Sequence, residues 1–146
     1  MSVTVQADWM ERIPHTGAMR LLDIVHDWNA TSIHAKGERL QSHEHPLCDG
    51  MSLHAVHLAE YGAQAVAVHG ALLAASRGDT RVRQGRLVSL RDVHLTAEYV
   101  DLSAAPLDIH AECLIADERG AQYTFRVEQR AQVLATGRVA VMHMEA

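Results

Sequence analysis

The chain is short of the residues that interrupt or bypass ordinary folding. Its 146 residues include only three Pro and nine Gly, too few for a collagen-like or low-complexity chain. No apolar run reaches the roughly 18 residues that a membrane span needs. The opening MSVTVQADWMERIP has neither the basic start nor the apolar centre of a secretory signal. Two cysteines, Cys48 and Cys113, form no close-spaced pair, which reads most simply as a reduced, cytoplasmic setting. Lysine is nearly missing, with Lys36 alone against 12 Arg, and the net charge of −5 excludes the strongly basic footprint of a general nucleic-acid binder. No GxSxG-type turn is present, so a serine hydrolase of that kind is not expected.

What is present is a globular composition, 48% hydrophobic and 21% charged. A chain of this length is expected to form one domain over residues 1–146. Residues 7–12 suit a short helical turn ended by Pro14, with a turn over 14–17. LLDIVHDW (21–28) and SIHAKGERL (32–40) read as paired strands across a short turn at Asn29 and Ala30. A polar loop, QSHEHPLCDG, covers 41–50. From about Ser52 to Ser76 the chain holds no Pro and many Ala, which predicts one helix about 37 Å long. Asp49 or Ser52 is placed to cap it, and Gly78 follows its end. The helix is apolar on nearly every side and is expected to be central. Alternation then predicts four closely spaced strands, at 86–100, 106–116, 122–129 and 133–144. The expected fold is α+β: a curved antiparallel sheet wrapped round one long apolar helix.

That helix carries a polar line. At about 100° per residue, Leu53, His57, Glu60, Gln64 and Ala71 project within about 60° of one another. A buried carboxylate needs a cavity, an interface or a dedicated partner. Glu60 therefore either serves packing, through His57 or backbone groups, or has its pKa raised by burial and holds a proton for acid catalysis. The loop before the helix adds His43 and His45, and His45 is a candidate base. Backbone N–H groups at a loop running into a helix suit a carbonyl or oxyanion. His43, His45, Cys48, Asp49, His54 and His57 are all potential metal ligands, but their spacing matches no common zinc signature, so no metal and no cofactor is expected.

IPHTGAMRLLDIV and HPLCDG…HLAEYGAQAVAVHGALLA resemble the opening, catalytic loop and central helix of the hotdog-fold β-hydroxyacyl-acyl-carrier-protein dehydratases. The overall likeness is to a divergent, dehydratase-like branch from aryl-polyene and fatty-acid-type clusters. The resemblance implies a dimer with a joined sheet and active sites at the subunit interface. It maps the base to His45, the acid to Glu60 and the helix Gln to Gln64. Gly50, His54, His57 and Gln64 then fall on the substrate-binding side. The loop departs from the family's HFPG, since Gly50 stands five residues after His45. The implied substrate is a 3-hydroxyacyl thioester on an acyl carrier protein or coenzyme A, and the implied partner is a second hotdog chain, identical or related. Five arginines, Arg77, Arg81, Arg83, Arg86 and Arg91, suit an acidic carrier with a phosphodiester arm. Two other readings stay open: a non-catalytic hotdog subunit that supports an active partner, and a hotdog thioesterase in which Glu60 activates water.

Overall fold

A computed structural model of the chain describes residues 20–38, 47, 53–78, 84–101 and 106–144. The expected turns at 7–12 and 14–17, the loop residues His43, His45, Cys48, Asp49 and Gly50, and the cap candidate Ser52 lie outside them, as do Arg81, Arg83 and the side chain of Arg86.

Six strands form one sheet: β1 (Ile24–Trp28), β2 (Ser32–Gly37), β3 (Gln84–Leu95), β4 (Leu107–Ala116), β5 (Gly120–Gln129) and β6 (Gln132–Met144). Their spatial order is β1-β2-β4-β5-β6-β3, and every pairing is antiparallel. The chain thus leaves β2, passes through the helix, lays β3 at the far edge and fills the gap with β4, β5 and β6. The first strand starts at Ile24, three residues later than expected, because Leu21 is occupied by the helix, as described below. The third strand ends at Leu95 and not at Val100. There Thr96 turns its N–H to the Leu134 carbonyl at 2.9 Å, and Tyr99 forms an isolated bridge with His54.

The alternation that predicted the strands is a division of labour between faces. Val25, Ile33, Ala35, Leu107, Ile109, Ala111, Tyr123, Phe125, Val127, Ala135 and Val139 are buried under the helix. Their neighbours in sequence, including His34, Asp108, His110, Arg126, Glu128 and Arg138, lie on the other face.

Helix α1 (Leu58–Ser76) crosses the inner face, preceded by a 3-10 turn at Ala55–His57. The expected single helix from Ser52 is shortened because His54 breaks the pattern. Its backbone is extended and its ring Nδ1 accepts the N–H of Val56 at 3.0 Å, an N-terminal cap for the short turn. At the other end Gly78 takes a positive φ of 80°, a conformation in which glycine needs no strain. Helix and sheet approach closely at one point. A Cβ on Gly62 would stand 2.6 Å from the Phe125 ring, and one on Gly137 would stand 2.5 Å from it. The sole Phe of the chain therefore fills a notch that two glycines open, one on α1 and one on β6.

The two edges differ. β1 is five residues long and bulged between Val25 and Asp27. β3 is twelve residues long. It too is bulged, with Asp92 at a positive φ of 52° between Arg91 and His94. α1 packs mainly over β2, β4, β5 and β6 and scarcely reaches β3. Leu90 and Leu95, which pair with buried Val139 and Ala135 and so share their face, remain exposed.

Candidate active site

Glu60 sits in the first turn of α1, where the helix dipole favours a carboxylate. It is half-buried. One turn on, Gln64 is fully buried and bridges two groups. Its Oε1 accepts the N–H of Leu21 at 2.8 Å, and its Nε2 donates to Glu60 Oε1 over a long 3.4 Å. The amide is oriented by this pair, because only its oxygen can accept from a backbone N–H. Glu60 is thereby tethered, through Gln64, to the backbone just before β1. The polar line expected on the helix exists, but it runs from half-exposed at His57 and Glu60 to fully buried at Gln64. Leu21, which bonds Gln64, and its neighbour Leu22 are buried as well.

His57 is half-buried at the N-cap of α1 and makes no side-chain capping bond there. His54 is held more firmly. With Nδ1 accepting from Val56, a neutral ring carries its proton on Nε2 and presents a donor. The ring stands edge-on to Tyr99 at 5.3 Å. Backbone bonds tie this corner to the segment after β3: Ala55 N–H to the Glu98 carbonyl at 2.8 Å and Val100 N–H to the Leu53 carbonyl at 2.9 Å. Around it Val56 and Tyr99 are more than half exposed. Glu60, His57 and His54 thus share one end of α1, and on the helix side of β3 Leu90 and Leu95 are exposed as well. His45 and Gly50 lie outside the described residues, so their distance from Glu60 is not part of this geometry.

The other end of α1 holds a group that the sequence reading passed over. His69 is fully buried. Its Nε2 lies 2.8 Å from the Asn29 carbonyl, which can only accept, so that nitrogen carries the proton. Its Nδ1, 2.6 Å from the Tyr123 hydroxyl, then receives that O–H. Burial lowers the His69 pKa and outweighs the Asn29 bond, which raises it. Burial also pushes the Tyr123 phenol well up, with Cys113 beside it adding to the shift. Cys113 is a half-buried free thiol. The available signal was the lone imidazole among small and apolar residues in AVAVHGALL.

A concavity of about 520 Å³ opens on the outer face of the sheet, bordered by Trp28, His34, His110, Arg126 and Arg138. None of Glu60, Gln64, His54 and His57 lines it. Among the described residues no group of His, Cys, Asp or Glu is placed to hold a metal ion, and no helix is long and apolar enough to cross a membrane. Of the arginine group, Arg77 at the end of α1 and Arg91 on β3 are both exposed.

Comparison with known proteins follows the same lines. A chain of the dehydratase heterocomplex ApeI:P from Xenorhabdus doucetiae superposes with a TM-score of 0.85 at 22% identity, over 93% of this chain and 91% of that one. An HP0420 homologue from Helicobacter felis gives 0.68 at 12% identity, over 100% and 94%. The thioesterase HI1161 from Haemophilus influenzae gives 0.68 at 8% identity, over 97% and 92%. At these identities the likeness is one of fold, the hotdog fold. No curated protein sequence is significantly similar to the chain. The sequence profile of the ApeP-like family, described as ApeP dehydratase, matches residues 8–146, and the chain belongs to that family.

Proposed function

We infer that the chain is a subunit of a dehydratase that converts a 3-hydroxyacyl thioester to a trans-2-enoyl thioester. His45 removes the proton from the α carbon. The electron pair forms the new double bond as the β hydroxyl departs, and Glu60 protonates that hydroxyl so that it leaves as water. Backbone N–H groups near Gly50 and the helix lead-in polarise the thioester carbonyl, since the α-proton step depends on a stabilised enolate. His54 with its Nε2–H, His57 and Gln64 serve binding and orientation. The acyl group arrives on an acyl carrier protein or coenzyme A, and exposed Arg77 and Arg91 favour an acidic carrier. The observation that carries this reading is the Glu60 carboxyl, the sole acidic group on a largely apolar helix, tethered through buried Gln64 to the Leu21 backbone.

The partner is a second hotdog chain joined along β3, whose apolar helix-side face α1 leaves uncovered. A related, non-identical chain is favoured by the assembly state of the Xenorhabdus neighbour, a heterocomplex. The departure of HPLCDG from HFPG motivates a second reading, in which this subunit supports a partner's chemistry and performs none itself.

The test is absorbance of the enoyl thioester formed from a 3-hydroxyacyl substrate, for the chain alone and with a related hotdog subunit. Dehydration lost in both Glu60→Gln and His45→Ala supports the first reading. Full activity of the pair with both substitutions in this chain supports the supporting-subunit reading. Release of free thiol in place of enoyl product would overturn both in favour of thioester hydrolysis.

A further inference from the structure

The outer face of the sheet carries a row of imidazoles that the proposed chemistry does not use. His26 on β1, His34 on β2 and His110 on β4 follow one another across three strands. The first two ring centroids lie 4.8 Å apart, and the second two lie 4.2 Å apart with planes only 18° from parallel. His34 and His110 are direct cross-strand partners. Like charges directly opposite on a sheet repel. A proton on His34 meets Asp108 Oδ1, 2.7 Å from its Nε2. A proton on His110 meets Glu128 only at 3.6 Å, while Arg126, bonded to that same Glu128 at 2.5 Å, opposes it. Burial, His34 and Arg126 together lower the His110 pKa, against the weaker pull of Glu128 and Asp108. Other charges on this face include Asp27 on β1, Lys36 on β2 and Glu112 on β4, at neighbouring register positions, and Arg138 on β6 with Asp92 on β3, which border the same concavity. On the inner side the only imidazole bonded to the hairpin among the described residues is His69.

The same hairpin receives both buried polar anchors of α1. Gln64 holds Leu21, just before β1, and His69 holds Asn29, just after it. Asn29 is fixed in turn by its own turn, its Oδ1 accepting the N–H groups of Thr31 and Ser32 at 2.9 Å. Strand β1 is thus pinned to the helix at both ends, while β2 holds β4 across the stacked imidazoles.

We propose that the β1–β2 hairpin is a proton-sensitive strap: acid places a second charge in the His34–His110 stack, the hairpin loosens from β4, and the Leu21 contact that orients Gln64 and Glu60 loosens with it. An opened hairpin takes up protons that the closed stack resists, so acid favours the open form. One additional proton bound on opening shifts that equilibrium by up to about tenfold per pH unit. The opening itself is independent of the catalytic reading. Only its consequence for Glu60 rests on that reading.

The test is amide hydrogen exchange of the full chain without substrate, corrected for intrinsic rates, between about pH 7 and about pH 5, on either side of the ordinary imidazole range. Reporters are Leu21, Ile33 and Ala111, with Val127 and Val139 in the centre of the sheet as controls. In the wild type, protection at the first three is expected to fall several-fold more than at the controls. In His110→Gln, and independently in His34→Gln, that excess is expected to shrink to within about twofold of the controls, since one imidazole leaves no pair to repel. An excess that persists unchanged in both variants, or a wild-type loss uniform over all five amides, overturns the proposal.

Discussion

The two ends of α1 use the same kind of residue for opposite purposes. At the first turn, Glu60 is half-buried and accepts a long hydrogen bond from Gln64, and Val56 at this end of the helix is exposed. Nine residues later His69 is sealed, with both ring nitrogens committed at 2.6 and 2.8 Å. A titratable group that solvent still reaches can meet a substrate, whereas one sealed and fully satisfied in the core specifies packing. The helix teaches that burial alone does not identify a functional group. The decisive feature is whether solvent, and with it a substrate, can still reach the group.

That contrast can be broken by substitution. Glu60→Gln keeps the shape and removes the acid. The expected loss in dehydration rate is about 10²–10⁴-fold, the usual contribution of a general acid, while the denaturation midpoint stays near wild type. His69→Ala should do the reverse. It opens a cavity and removes the His69 partner of the Tyr123 hydroxyl and of the Asn29 carbonyl, for an expected loss of about 2–5 kcal/mol in urea unfolding. If His69→Ala unfolds like wild type yet loses activity, the division between the two ends is wrong. Gly62→Ala probes the region between them. Its Cβ would press on Phe125, and an overpacking loss of about 1–3 kcal/mol is expected in the same measurement.

The smallest effect is the one with pH. The lowered pKa of His69 means that the unfolded chain binds a proton below the ordinary value of 6.5 while the folded chain resists it. The His69 contribution is therefore full above that value and declines as pH falls below it. In His69→Gln, urea midpoints at neutral and mildly acidic pH should lie closer together than in wild type. An unchanged spacing would remove His69 from the account of acid lability.

Much of this architecture was legible in the alternation of residues, and the limits of that legibility have physical causes. Leu107, Ile109 and Ala111 announce a one-sided strand because strand side chains alternate faces, and the Ala-rich, Pro-free run announces α1. The start of the helix was misplaced because His54 competes for the Val56 N–H through its side chain, a local bond that hydrophobic patterning does not register. Glu60 and Gln64 share a face of α1, as their hydrogen bond requires, while Leu53 lies before the helix, and the depth of the polar line was not evident. Gln64, fully buried, is held by the Leu21 backbone, more than 40 positions away in sequence. The facing of His34 and His110 depended on strand order, since β3 passes to the far edge and leaves β4 beside β2. Each histidine was visible in an alternating segment, and only their register was hidden.

The left-handed turn at Asp92 also bears on how the molecule avoids the wrong company. A straight edge of twelve residues would offer a regular row of donors and acceptors to any extended chain, including endless copies of itself. The kink at Asp92, with Arg138 Nη1 at 3.9 Å from its carboxylate, interrupts that row and places charge beside it. An incoming strand meets only limited straight stretches on either side of the kink, so a match of length and curvature becomes a condition of zipping up, and open-ended stacking into fibres is discouraged at its first step.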